Sequence, residues 1–193
     1  MGISTGCCSL GDKYCHPEYP QENQTESTNQ KLSDKPTELE VSKLYVATFN
    51  RAPDSEGLNY WKNISNLNIE EISKSFFDQN ETKKIYPDSI SNREFITATY
   101  KNLFNREPDL DGLEYWEKDL NNETYSKDVF IQTLINGAKG DDASILENKA
   151  SAGVSFANAN INDSNLSFSI IEDITADKSS LISAKDKILG YNK

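Results

Sequence analysis

From Thr37 onward the apolar side chains recur at helical spacing. Val41, Leu44, Tyr45, Thr48 and Phe49 fall at i, i+3, i+4, i+7 and i+8, and Ile96, Thr99, Tyr100, Leu103 and Phe104 repeat that pattern, which puts each set on one face of an α-helix. Three small polar residues stand three positions before a Glu: Thr37 before Glu40, Asn68 before Glu71 and Ser91 before Glu94. Such a pair satisfies two of the orphan amides of a first helical turn, so each marks a helix start. The same reading predicts helices over about 55–67, 69–79, 110–121, 127–138, 142–159, 167–174 and 177–189. No stretch alternates with the period of a strand, so the fold class is all-α over residues 37–193.

Residues 1–36 differ in kind. Between Pro17 and Lys35 the only large apolar side chains are Tyr19 and Leu32, too few to offset the entropy of ordering a chain. This segment is predicted to be a disordered polar tail, with Cys7, Cys8 and Cys15 clustered near its start.

The strongest internal signal is a repeat. Residues 44–61 set against 99–116, an offset of 55, give ten identities in eighteen positions. The shared string is Tyr-x-x-x-Phe-Asn-Arg-x-Pro-Asp-x-x-Gly-Leu-x-Tyr-Trp, carried by Tyr45, Phe49, Tyr60 and Trp61 in one copy and Tyr100, Phe104, Tyr115 and Trp116 in the other. A helix ends at Asn-Arg, Pro stops it from continuing, and Asp caps the next one. The expectation is an internally duplicated helix–turn–helix unit whose two copies face each other and bury their Tyr and Trp faces in one core.

The doubled Arg-x-Pro-Asp-x-x-Gly-Leu-x-Tyr-Trp string resembles the domain-of-unknown-function family 4214, which is related to the phycobilisome linker domain and occurs in bacterial S-layer and RTX-type exported proteins. Leu146-Glu-Asn-Lys149 with Phe156-Ala157, and Ile174-Thr-Ala-Asp177 with Ser180 and Ala184-Lys185, extend the likeness to about residue 190. The resemblance implies a non-enzymatic, exported, surface-associated or adhesin-like module. Its partner would be a cell-surface polysaccharide or lipopolysaccharide or, as in linkers, another protein. The glycine- and aspartate-rich calcium repeats of RTX proteins do not follow.

Charge narrows the partners. The 31 Asp and Glu against 20 Lys and Arg give a net charge of −11, opposed to the phosphate-neutralising surface that nucleic-acid binding needs. No apolar run approaches the roughly 20 residues of a spanning helix. No Cys or His follows His16, which removes thiol nucleophiles, Cys/His zinc sites and imidazole acid–base chemistry from the body of the chain.

Four sets of residues are candidates for chemistry. Arg51 and Arg106 could fork onto phosphate or carboxylate of a glycan, or pair with nearby Asp residues and helix-end carbonyls. Asp54 with Glu56, and Asp109 with Asp111, resemble the opening of a calcium loop, but Leu58 and Leu113 occupy the fifth position where an oxygen ligand belongs. Helix caps account for the same residues, so no cofactor is required and calcium is a weak candidate only. Cys7 follows Ser4-Thr-Gly as in a lipoprotein cleavage site, although only six residues precede it. Acylation there would leave Cys8 and Cys15 as a possible disulfide; Cys7, Cys8, Cys15 and His16 as zinc ligands, acylation of Gly2, or thiols of no special chemistry are the alternatives. Asn80 and Asn165 sit in acidic-extended glycosylation contexts that match those of some exported bacterial glycoproteins.

Overall fold

A computed structural model describes residues 35–161 and 163–191. Among these residues every regular element is helical: α1 (Glu38–Phe49), α2 (Ser55–Asn59) running into a π-helical turn (Tyr60–Ile64), α3 (Ile69–Asp78), α4 (Asn80–Ile85), α5 (Asn92–Phe104), α6 (Leu110–Asn121), α7 (Lys127–Gly137), α8 (Gly140–Asn158), α9 (Ser164–Glu172) and α10 (Lys178–Tyr191). The fold is all-α, as the periodicity implies. The sequence features of residues 1–34, including the Cys7 lipidation site and the Cys/His cluster, lie outside the described residues.

All three reciprocal caps form. Thr37, Asn68 and Ser91 each accept from the backbone of the Glu three positions on, and Glu40, Glu71 and Glu94 each return a carboxylate to the cap amide. The α1 and α5 faces read from periodicity are buried in full, Val41, Leu44, Tyr45, Thr48 and Phe49 on one and Ile96, Thr99, Tyr100, Leu103 and Phe104 on the other.

Two elements depart from the expectation. The segment predicted as one helix over 55–67 is a short α-helix that widens at Tyr60, where the Ser65 amide bonds the Tyr60 carbonyl at 2.9 Å. The Ser65 hydroxyl donates to the Trp61 carbonyl at 2.8 Å, and Asn66 adopts φ 56°, so local side-chain bonding ends the helix early. Helix α4 has no counterpart among the helices expected from the sequence, because its cap position, Gln79, is extended and makes no side-chain cap bond.

Helix α8 is the spine, packed against α1, α2, α5, α9 and α10. Its buried face holds Ala150, Ala152 and Gly153 beside Leu146 and Phe156, and the small residues let α1 approach closely. A Cβ on Gly153 would lie 2.4 Å from Ser42 Oγ and 3.1 Å from Pro53 Cδ, so only glycine fits there. The Ser42 hydroxyl donates to the Ala150 carbonyl at 2.9 Å across the same contact.

Helices α1 and α5, on which the two copies of the string begin, pack on each other, as do α3 and α7. At the α1–α5 contact the Asn102 amide donates to the Ala47 carbonyl and to the Tyr86 hydroxyl, both at 3.1 Å. Lys149 of α8, only 1% exposed, donates to the Asn102 carbonyl at 2.6 Å.

Candidate binding groove

The repeated string builds the same local geometry twice. Asn50 and Asn105 end their helices in the left-handed conformation, φ 51° and 57°, which Asn tolerates better than most residues. Asp54 and Asp109 then cap α2 and α6, accepting from the Gly57 and Gly112 amides at 2.8 and 2.9 Å. The Tyr45 hydroxyl lies within bonding reach of the Trp61 indole, and Tyr100 of the Trp116 indole. Burial, with Asp54 nearby, pushes the Tyr45 hydroxyl up to about 12.

The aromatic positions divide into two sorts. Tyr45, Phe49, Tyr100 and Phe104 are core residues. Trp61 is half-buried against Phe76 and Trp116 against Phe130, at centroid distances of 5.1 and 5.0 Å. Each Trp therefore packs against a helix that comes after its own copy, α3 or α7, rather than across into the other copy. Tyr60 and Tyr115 correct the expected core: they are 47% and 37% exposed. Standing one position before Trp, each is turned about 100° away around the helix and meets its neighbour edge-on, at 4.9 and 5.1 Å.

Both arginines are already engaged. Arg51 donates through Nε and Nη2 to the two carboxylate oxygens of Glu81 at 2.7 and 2.9 Å, and through Nη1 to the Ala52 carbonyl at 3.0 Å. Asp54 stands 3.6 Å away, and the guanidinium lies 5.0 Å from the Tyr45 ring centre and 5.5 Å from that of Phe49. Burial opposes the Arg51 charge, yet the Glu81 hydrogen bonds and charge, with Tyr45 and Asp54, outweigh it and raise the pKa. Arg106 repeats the arrangement on Asp142, at 3.0 and 2.6 Å, with Nη1 on the Glu107 carbonyl at 3.1 Å. Of the two readings of each arginine the paired one describes its geometry, with a carboxylate from a later helix filling each fork and a carbonyl just past the helix end taking Nη1. Neither carboxylate is legible in the repeat, because Glu81 and Asp142 lie outside the repeated window.

The weak calcium candidates resolve into helix starts. Asp54 and Asp109 are caps, while Glu56 and Asp111 are exposed acids of the first turns of α2 and α6, where the helix dipole favours them. Among the described residues no three His, Cys, Asp or Glu side chains converge as a metal site. Asn80 and Asn165 are exposed on the first turns of α4 and α9, but the hydroxy residues of their glycosylation contexts, Thr82 and Ser167, are buried and donate to the Phe76 and Ser164 carbonyls.

Beside the Arg51–Glu81 pair the surface opens into a groove of about 240 Å³. It is lined by Arg51 and Asp54, by Glu81, and by Asp163, Ser164 and Phe168 at the start of α9. The Ala52 amide donates to the Ser167 carbonyl at 2.8 Å, tying the segment of Arg51 to α9. Asp163 accepts from the Leu166 amide at 3.0 Å and meets the Tyr191 hydroxyl, and these bonds hold its carboxyl below the usual range. The groove thus presents three carboxylates, one guanidinium already paired, and the exposed ring of Phe168.

Residues 73–138 match the family model DUF4214, a domain of unknown function. The DUF4214 match begins within α3 and ends just after α7, so it takes in the second copy of the string, including Arg106 and Trp116, and not the first. No curated protein and no solved structure matches the chain. No helix among the described residues is long and apolar enough to cross a membrane.

Proposed function

We propose that this chain is a non-enzymatic, exported module of the bacterial cell surface that binds a surface glycan, such as the polysaccharide part of lipopolysaccharide. The observation that supports this reading is the composition of the groove. Carboxylates held in place by a paired arginine and by backbone amides accept hydrogen bonds from sugar hydroxyls, and an exposed aromatic ring offers a face for their C–H groups. Arg51 and Arg106 take different roles from those expected of open anion forks. Arg51 acts by orienting Glu81, and Arg106 by joining α8 to the end of α5.

The test is retention of the whole chain on intact bacterial cells and on isolated surface polysaccharide. Phe168→Ala and Asp163→Asn, both at the surface, are expected to weaken retention about tenfold each, the loss of one stacking face or one charge-assisted bond. No retention of the unaltered chain on either material would sink the reading.

A second reading, a scaffold that docks onto another protein, has one observation in its favour. Ile182 and Leu189, seven positions apart on α10, are both well exposed, the spacing of a helix face that meets a partner. Chemical crosslinking on cells that captures no protein through α10 would remove it.

A further inference from the structure

A second depression lies against the groove and shares a wall with it. It is lined by Trp61, by Gln79, Asn80 and Glu81 at the start of α4, and by the rings of Tyr45, Phe49 and Phe76, with a volume of about 210 Å³. Glu81 also lines the groove, and Arg51, which holds Glu81, stacks on the same two rings. The Arg51–Glu81 pair is therefore a polar ridge between two depressions.

Three observations bear on what occupies them. Each depression is smaller than the roughly 300–1,000 Å³ of an ordinary ligand site, and the two together fall within that range, so a ligand that crosses the ridge fits better than one confined to either side. The contacts offered are an indole, an exposed side-chain amide on Asn80 and the Glu81 carboxylate, with Phe168 and two further carboxylates beyond the ridge. The charge is wrong for an anion: Asp54, Glu81 and Asp163 face one guanidinium that is already neutralised, so phosphate or uronate groups would meet like charge. The backbone also widens at this place. Trp61 sits in the π-helical turn, whereas Trp116 sits on a continuous α-helix with Tyr125 beside it at 6.0 Å.

We propose that the two depressions are subsites of one extended site for a neutral oligosaccharide, with one sugar ring against Trp61 and the next units crossing the Arg51–Glu81 ridge toward Phe168. The inference rests on the glycan reading above and adds to it the length and charge of the ligand.

Titration calorimetry of the full chain tests it with cello-, malto- and chito-oligosaccharides of one to six units, and with oligogalacturonates of matched length. Affinity for the neutral series is expected to rise about tenfold or more from one unit to three as the second subsite fills, with the oligogalacturonates weaker at every length. Trp61→Leu is expected to lose about tenfold on trimers and nothing on monomers, since only the longer ligand reaches the indole. Asn80→Ala, at an exposed position, is expected to lose a few-fold on trimers and settles the matter if Trp61→Leu does not keep its melting temperature. Trimers that bind no better than monomers, or that bind both variants as tightly as the parent, overturn the extended site while Phe168→Ala still reports on the groove. Oligogalacturonates that bind more tightly than neutral sugars overturn the ligand class. A chain that binds none of these sugars and is retained on no surface polysaccharide overturns the glycan reading itself.

Discussion

In the first copy of the repeated string the Arg51 fork meets Glu81 on a helix of six residues, and in the second the Arg106 fork meets Asp142 on a helix of nineteen. Four features of the string are alike: the left-handed Asn, the Asp cap, the Tyr–Trp contact and the arginine over two rings. The partner helices differ. Glu81 stands in the first turn of the short α4 and lines the groove. Where α8 continues to Asn158 it becomes the packing spine of the domain. The same local geometry thus borders the groove in one place and joins the start of the packing spine in the other. The DUF4214 match covers the second copy of the string, so the groove lies largely on residues beyond the matched segment.

The buried junction between the two copies is expected to give the largest effect. Ala47 and Asn102 occupy the same place in the repeat, yet Asn102 bonds across to Ala47 and Lys149 bonds to Asn102. Burial alone pushes the Lys149 ammonium down to about 8. The unfolded chain, with a lysine near 10.4, holds that proton more tightly than the folded chain. Stability should therefore rise as pH rises through the interval from about 8 to 10, by up to about 3 kcal/mol, and the destabilisation should be fully developed below it. Tyr45 and Tyr86, pushed up to about 12 by burial, act in the opposite sense only once pH passes 10. Urea unfolding at pH 7, 8, 9 and 10 checks this. Lys149→Met should flatten the profile and raise stability at pH 7, and an unchanged profile would show that Lys149 is not the titrating group.

Substituting the arginines sharpens the comparison at the next level. Arg51, with 16% of its side chain exposed, is largely desolvated, whereas Arg106 is 45% exposed. Arg51→Ala leaves Glu81 without its fork and uncovers two rings, for a cost of about 2 to 3 kcal/mol. Arg106→Ala should cost under about 1 kcal/mol, because water replaces most of what is lost. Equal midpoint shifts in parallel denaturation curves would mean that burial does not separate the two pairs.

How much of the molecule is legible in its sequence depends on range. The caps at Thr37, Asn68 and Ser91 and the α1 and α5 faces are readable because each depends on residues three to eight positions apart. The groove is not, because Arg51, Glu81, Asp163 and Phe168 come from four separate segments that only the packing of α8 and α9 brings together. The helix of the spine is readable over 142–159, but its packing role is hidden by its composition. Its contact face is Ala150, Ala152 and Gly153 with a buried lysine, and close approach of backbones leaves no pattern of large apolar residues to read.

The smallest expected difference lies inside the string. Gly57 and Gly112 hold the same position, third after their Asp caps, and both are helical. A Cβ on Gly57 would fall 2.3 Å from the Tyr45 hydroxyl, whereas on Gly112 its nearest neighbour is the exposed Asp109 carboxylate at 3.2 Å. Tyr45 cannot withdraw, since it is buried, packed edge-on against Phe49 and Phe76 at 5.3 and 5.2 Å, and in contact with the Trp61 indole. Gly57→Ala should therefore cost about 1 to 3 kcal/mol. At Gly112 the gain in helix propensity offsets a small shift of Asp109, which leaves Gly112→Ala within about 0.5 kcal/mol of the parent. Melting temperatures of the two variants read this directly. Because Tyr45 and Trp61 border the second depression, Gly57→Ala should also weaken trimer binding, while Gly112→Ala leaves it unchanged. A Gly57→Ala protein that melts and binds like the parent would mean that the Tyr45 hydroxyl has room that the geometry denies it.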